Sequence, residues 1–143
     1  MMKMKLFALA AAFSLLLVSC GDPVDPVTPT VVDVSGTWVL SSVSTRSATI
    51  GDQTVDVYVE FASGSFTLYQ RVGSGRYYKY TGTYSLSESV LSGKYSSGTA
   101  WGATYDVTVS GSTMTLCPKG GTEKDTYTKG SIPLSVISEA LER

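Results

Sequence analysis

The sequence predicts an all-β fold, an eight-stranded antiparallel up-and-down barrel followed by a short C-terminal helix. Three observations lead there. Beyond residue 34 the chain is rich in Val, Thr and Tyr, which suit half-buried pleated strands. Apolar and polar residues alternate with a period of two along successive runs. Those runs are joined by short stretches rich in Gly and Ser, and short connections force neighbouring strands to be antiparallel.

The chain opens with Lys3 and Lys5 ahead of an apolar run over 6–18 that is too short to span a bilayer. This is the layout of a signal peptide. Its end, Leu17-Val18-Ser19-Cys20, resembles the lipobox of bacterial lipoproteins, where small residues precede a cysteine that is lipidated and becomes the new N-terminus. The resemblance implies a removed leader over 1–19 and an anchor on Cys20 whose several acyl chains hold the protein stably to a membrane. The expected location is the cell envelope, at the outer membrane, on its periplasmic or its surface face. Residues 20–33 contain Pro23, Pro26 and Pro29 with three acids, the pattern of an extended tether. At about 3.1 Å per residue it reaches roughly 40 Å. The acids just after Cys20 resemble the export signals of some surface lipoproteins.

The remaining 34–143 form one domain, with strands expected over 36–45, 54–61, 66–71, 77–85, 90–96, 103–109, 113–117 and 126–129. Eight strands in a meander close into a barrel, which removes exposed edges, and a β-sandwich is the alternative arrangement. Period-two reading places Trp38, Leu40, Val55, Val57, Val59, Phe61, Phe66 and Leu68 on the inner face. It adds Tyr78, Tyr80, Tyr84, Leu91, Tyr95, Tyr105, Val107, Val109, Met114, Leu116 and Tyr127. The opposite face carries Asp56, Glu60, Thr67, Thr81, Lys94, Thr104, Asp106, Thr108, Thr113 and Thr115, all suited to water. After Gly130 the spacing changes: Leu134, Ile137 and Leu141 lie on one helical face, with Pro133 in the first turn and Ser131 as cap.

Gly36-Thr37-Trp38, opening the first strand of such a meander, resembles the Gly-x-Trp signature of lipocalins. That resemblance implies that Gly36 and Trp38 form a structural plug at the closed end, that a terminal helix packs on the barrel, and that the open end takes a small hydrophobic ligand. Thr104-Tyr105-Asp106 shares residue types with a second signature of the family.

The chemistry available is narrow. Histidine is absent, so Ser-His-Asp and Cys-His catalysis are excluded and the commonest metal ligand is missing. No enzyme activity, metal or cofactor is expected. Without the leader, nine basic residues face twelve acidic ones and form no clustered basic face, which argues against nucleic acid. Asp56 and Glu60 share a face but stand about 13 Å apart, too far for a paired-carboxylate mechanism, and read as solvated charge. Gly73-Ser74-Gly75-Arg76 and Lys119-Gly120-Gly121-Thr122 precede no helix and read as hairpin loops rather than phosphate cradles. With Cys20 lipidated, Cys117 is a lone, inert thiol without a disulfide partner.

Tyr78, Tyr80, Tyr84, Tyr95 and Tyr105 offer ring faces and hydroxyls, and Trp101 stands among glycines in a turn at the barrel mouth. They are the candidate ligand-binding residues. An eight-stranded interior is also just wide enough to be filled by side chains, so the same tyrosines serve equally as core. Two functions follow. One is a membrane-anchored binding protein for a small hydrophobic or aromatic ligand. The other is a filled barrel that grips an envelope protein through its outer surface, as inhibitor, adhesin or structural subunit.

Overall fold

Strand structure begins where the alternation of Thr, Trp and Val begins, at Gly36. The computed structural model describes residues 31–43, 46, 47, 49, 50 and 53–143. The leader, Cys20 and the tether up to Thr30 lie outside the described residues. The strands are β1 (Gly36–Val43), β2 (Arg46–Ser47), β3 (Thr49–Ile50), β4 (Gln53–Ala62), β5 (Ser65–Val72) and β6 (Tyr78–Ser87). They continue as β7 (Val90–Tyr95), β8 (Tyr105–Ser110), β9 (Thr113–Pro118), β10 (Asp125–Lys129) and β11 (Leu141–Glu142), with one helix, α1 (Leu134–Glu139), before the last.

β1 and β4 to β10 are the eight strands of a closed antiparallel barrel. Each pairs with the next in sequence, and β1 pairs with both β4 and β10, setting Trp38 opposite Val59 on one side and Lys129 on the other. The two-residue strands β2 and β3 extend the adjoining ends of β1 and β4. In-register pairing carries the period-two pattern from strand to strand. Val59, Leu68 and Tyr80 line up across β4, β5 and β6, as do Phe61, Phe66, Gly82 and Tyr95 from β4 to β7.

The inner face forms one core of Trp38, Val55, Val57, Val59, Phe61, Phe66, Leu91, Val107, Met114, Leu116 and Tyr127. Leu86, outside the expected strand end, joins it from β6. Packing also reaches back from the buried Val34 into the described end of the tether, where Val32 lies partly buried against the same core.

The outer face departs from the expectation that it serves water alone. On β4 to β6 it carries Tyr58, Tyr69 and the neighbouring Tyr77, and these form a second cluster with Val136 of α1. Asp56, expected as free surface charge, accepts from the Arg71 guanidinium at 3.0 Å and from the Tyr77 hydroxyl at 3.3 Å. The Arg71 guanidinium also lies 4.5 Å from the centre of the Tyr77 ring. Burial first, and then the Asp56 carboxylate, push the Tyr77 hydroxyl up to about 12.

The helix is present, but its buried face is not the expected one. Val136 is buried with Ile132 and Ala140 beside it, whereas Leu134 is 82% exposed and Ile137 46%. A six-residue helix offers little more than one side chain to its partner, and the small Ala140 four residues on lets Val136 approach Tyr69 and Tyr77. The N-cap is Pro133 rather than Ser131, with no side-chain cap; its carbonyl accepts from Val136 N at 3.0 Å. Leu141 leaves the helix altogether. It enters β11, which runs parallel to β6 along Tyr78 and Lys79, an edge that β7 does not reach. Among the described residues no helix is long and apolar enough to cross a membrane.

Candidate functional site

The two ends of the barrel differ. At the end where β1 begins, the fully buried Trp38 donates its indole N–H to the Val34 carbonyl at 2.8 Å, folding the preceding segment under the core. Lys129 lies over the same ring, its Nζ 5.3 Å from the centre. Gly36 has a φ of +118°, a conformation that a side chain strains even though the space beside it is open. Trp38 and Val34 together close the core at this end.

At the opposite end, where β8 and β10 begin, the interior is not filled. A cavity of about 140 Å³ opens there. Its floor is apolar, formed by Val59, Phe61, Phe66, Leu68 and Leu116. Its rim carries Tyr95, Trp101, Tyr105, Tyr127 and Asp125.

The rim is positioned by a local interruption of the sheet. β7 and β8 share only two paired positions, Val90 with Asp106 and Leu91 with Tyr105. Beyond them, the chain between the strands folds back along β7: Tyr95 N donates to Thr99 O at 2.8 Å, and Trp101 N to Gly93 O at 2.9 Å. This turn sends the Trp101 side chain inward. A Cβ on Gly93 would overlap Cε2, Cζ2 and Cδ2 of the indole, so the ring fits only because position 93 has no side chain. Trp101 then meets Phe66 edge-on, with centroids 5.1 Å apart, and Tyr105 at 6.2 Å. Both spacings suit favourable aromatic pairs.

Of the six expected ligand-binding residues, the structure brings Tyr95, Trp101 and Tyr105 together around this cavity. Tyr80 reaches the group through Tyr95, ring to ring at 5.8 Å. Tyr78 and Tyr80 also line a separate cleft with Gln70, Val72 and Arg143, whose guanidinium lies 4.0 Å from the Tyr78 ring centre. Tyr84 is elsewhere, packed edge-on against Phe61 at 4.9 Å.

Asp125 is the rim residue that sequence reasoning missed, being assigned to the loop 119–125. Alternation counted back from Tyr127 places it on the inner face, and its register partner is the buried Leu116. Burial raises the Asp125 carboxyl above its ordinary value, and Glu123 adds to the rise. Burial also raises the hydroxyls of Tyr105 and Tyr127, with the Asp125 charge as the second cause for each.

Little else at the site has reactive chemistry. Among the described residues no three His, Cys, Asp or Glu side chains gather as a metal site. Cys117 is a free thiol, half-buried, with Sγ 3.5 Å from the Gly121 carbonyl.

Residues 34–116 match the family model described as a lipocalin-like domain. The chain belongs to that family. The matched stretch of this lipocalin-like domain begins at the buried Val34 and includes Trp38, Trp101 and Tyr105. A solved structure, of an uncharacterized protein from Bacteroides eggerthii, is 21% identical with a TM-score of 0.49, covering 68% of this chain and 100% of that one. Among curated proteins, none matches.

Proposed function

We propose that the lipocalin-like domain binds a compact hydrophobic or aromatic ligand in its mouth cavity, as a carrier or sensor held in the cell envelope by lipid on Cys20. The observation that carries this reading is the cavity itself, which lies over an apolar floor and beneath an aromatic rim. Its volume is close to the about 150 Å³ of a dry apolar cavity that accepts benzene, and below the roughly 300 Å³ at which drug-sized pockets begin. The ligand is therefore one ring or a short chain.

Titrating the full chain with benzyl alcohol, while following Trp emission, tests the binding. A saturable change is expected, because Trp101 forms part of the wall. Emission that stays constant to millimolar ligand, with no added mass in native mass spectrometry, sinks the proposal. The anchor is tested separately, by palmitate labelling that Cys20→Ser should abolish.

A further inference from the structure

The cavity rim holds one ionisable group that the aromatic reading alone does not use. Asp125 is half-buried beside Trp101, Tyr105 and Tyr127. Among the described residues its carboxylate has no hydrogen-bond donor and no ion-pair partner, and the ion pairs Arg71–Asp56, Lys79–Glu142 and Lys119–Asp106 all lie elsewhere. Among the described residues the charge acting on it is another acid, Glu123, and the tyrosines 95, 105 and 127 are the titratable groups coupled to this corner.

A carboxylate withdrawn from water with no counter-charge among the described residues is costly, and the ring faces around it carry negative quadrupole potential. Both features are relieved by the same kind of guest. From this juxtaposition we infer that the mouth cavity selects a small organic cation, a single ring or short chain bearing a protonated amine, with the ammonium between Asp125 and the faces of Trp101 and Tyr105. The apolar part of such a guest covers Phe66, Leu68 and Leu116. A neutral guest of the same shape buries Asp125 further and gives it no partner. A carboxylic acid adds a second negative charge to the corner and is rejected. The inference rests on the cavity being a binding site, and adds the charge of what it binds.

Three probes of nearly equal shape separate the cases: phenethylamine, 2-phenylethanol and phenylacetate, each titrated into the full chain at pH 7 by calorimetry and Trp emission. The amine should bind at least about tenfold more tightly than the alcohol, the combined effect of a charge pair and a cation–π contact, and phenylacetate more weakly than either. Raising the salt concentration should weaken the amine and leave the alcohol where it was. In Asp125→Asn the amine should lose its advantage over the alcohol measured on the same variant. If alcohol and amine bind equally to the native chain, or if the preference survives Asp125→Asn, the cation inference is wrong while the cavity remains a binding site. Failure of all three probes to bind overturns both readings. The salt series decides the matter on the native chain alone, should the variant not fold.

Discussion

The indole of Trp101 occupies the space in which a side chain at Gly93 would stand, and the backbone N–H of the same Trp101 donates to the Gly93 carbonyl at 2.9 Å. The pair fixes the segment between β7 and β8 against β7. Gly93→Ala should therefore expel the ring, at a cost of about 1–3 kcal/mol from overpacking. Because Trp38 is fully buried elsewhere, a red shift of Trp emission in this variant reports Trp101 alone. Unshifted emission would mean that the ring does not depend on position 93.

Trp38→Phe should do more damage than its modest change in shape suggests. It removes the donor to the Val34 carbonyl and leaves a void at the end of the barrel, together costing about 3 kcal/mol. The urea midpoint should fall by about 1–2 M with an unchanged slope. A smaller change would show that Val34 finds another partner.

Asp125→Asn should stabilise the empty domain near neutrality. Its folded carboxyl holds its proton more firmly than the unfolded one does, so the folded state binds more protons between the two values. Stability is consequently lost as pH rises from the unfolded value of 3.8 through the raised folded one. The variant should melt higher than the native chain at pH 7 and at the same temperature below pH 3. An Asn variant that melts lower at pH 7 would mean that the carboxylate has a stabilising partner.

Val136→Ala should release the C-terminal segment while leaving the barrel closed. The substitution removes the main apolar contact of α1 with Tyr69 and Tyr77, worth about 1–2 kcal/mol. Leu141 N and Arg143 N, which donate to the carbonyls of Tyr77 and Lys79, should then exchange their hydrogens faster, with β8 and β9 unaffected. Uniform acceleration across all strands would show that the helix and barrel open together.

Most of the barrel was legible because side-chain alternation and strand register share one period: Val55, Val57, Val59 and Phe61 read inward in sequence and are buried in fact. The helix-covered patch was not legible. Alternation turned Tyr78 inward and left Tyr77 outside, but nothing local shows that Tyr77 will be covered, or that Val136 rather than Leu134 will meet it. Trp101 stood out as a large ring among glycines. Asp125 did not, because the Gly120-Gly121 turn before it makes the first residue of β10 look like loop.

The pairing of β1 with β10 has a consequence for how the chain is made. The Ser41 hydroxyl donates to the Thr126 carbonyl across 85 residues of sequence, beside the paired backbones of Leu40 and Tyr127, so the ring of backbone bonds is completed only by the last strand of the barrel. Until then β1 and β9 present open edges, which are templates for pairing with other chains. A ribosome-bound or prematurely terminated product ending before Asp125 is thus an adhesive intermediate, and contacts this distant in sequence close slowly, on a scale of milliseconds to seconds. Such a chain benefits from being kept extended until its final strand has emerged.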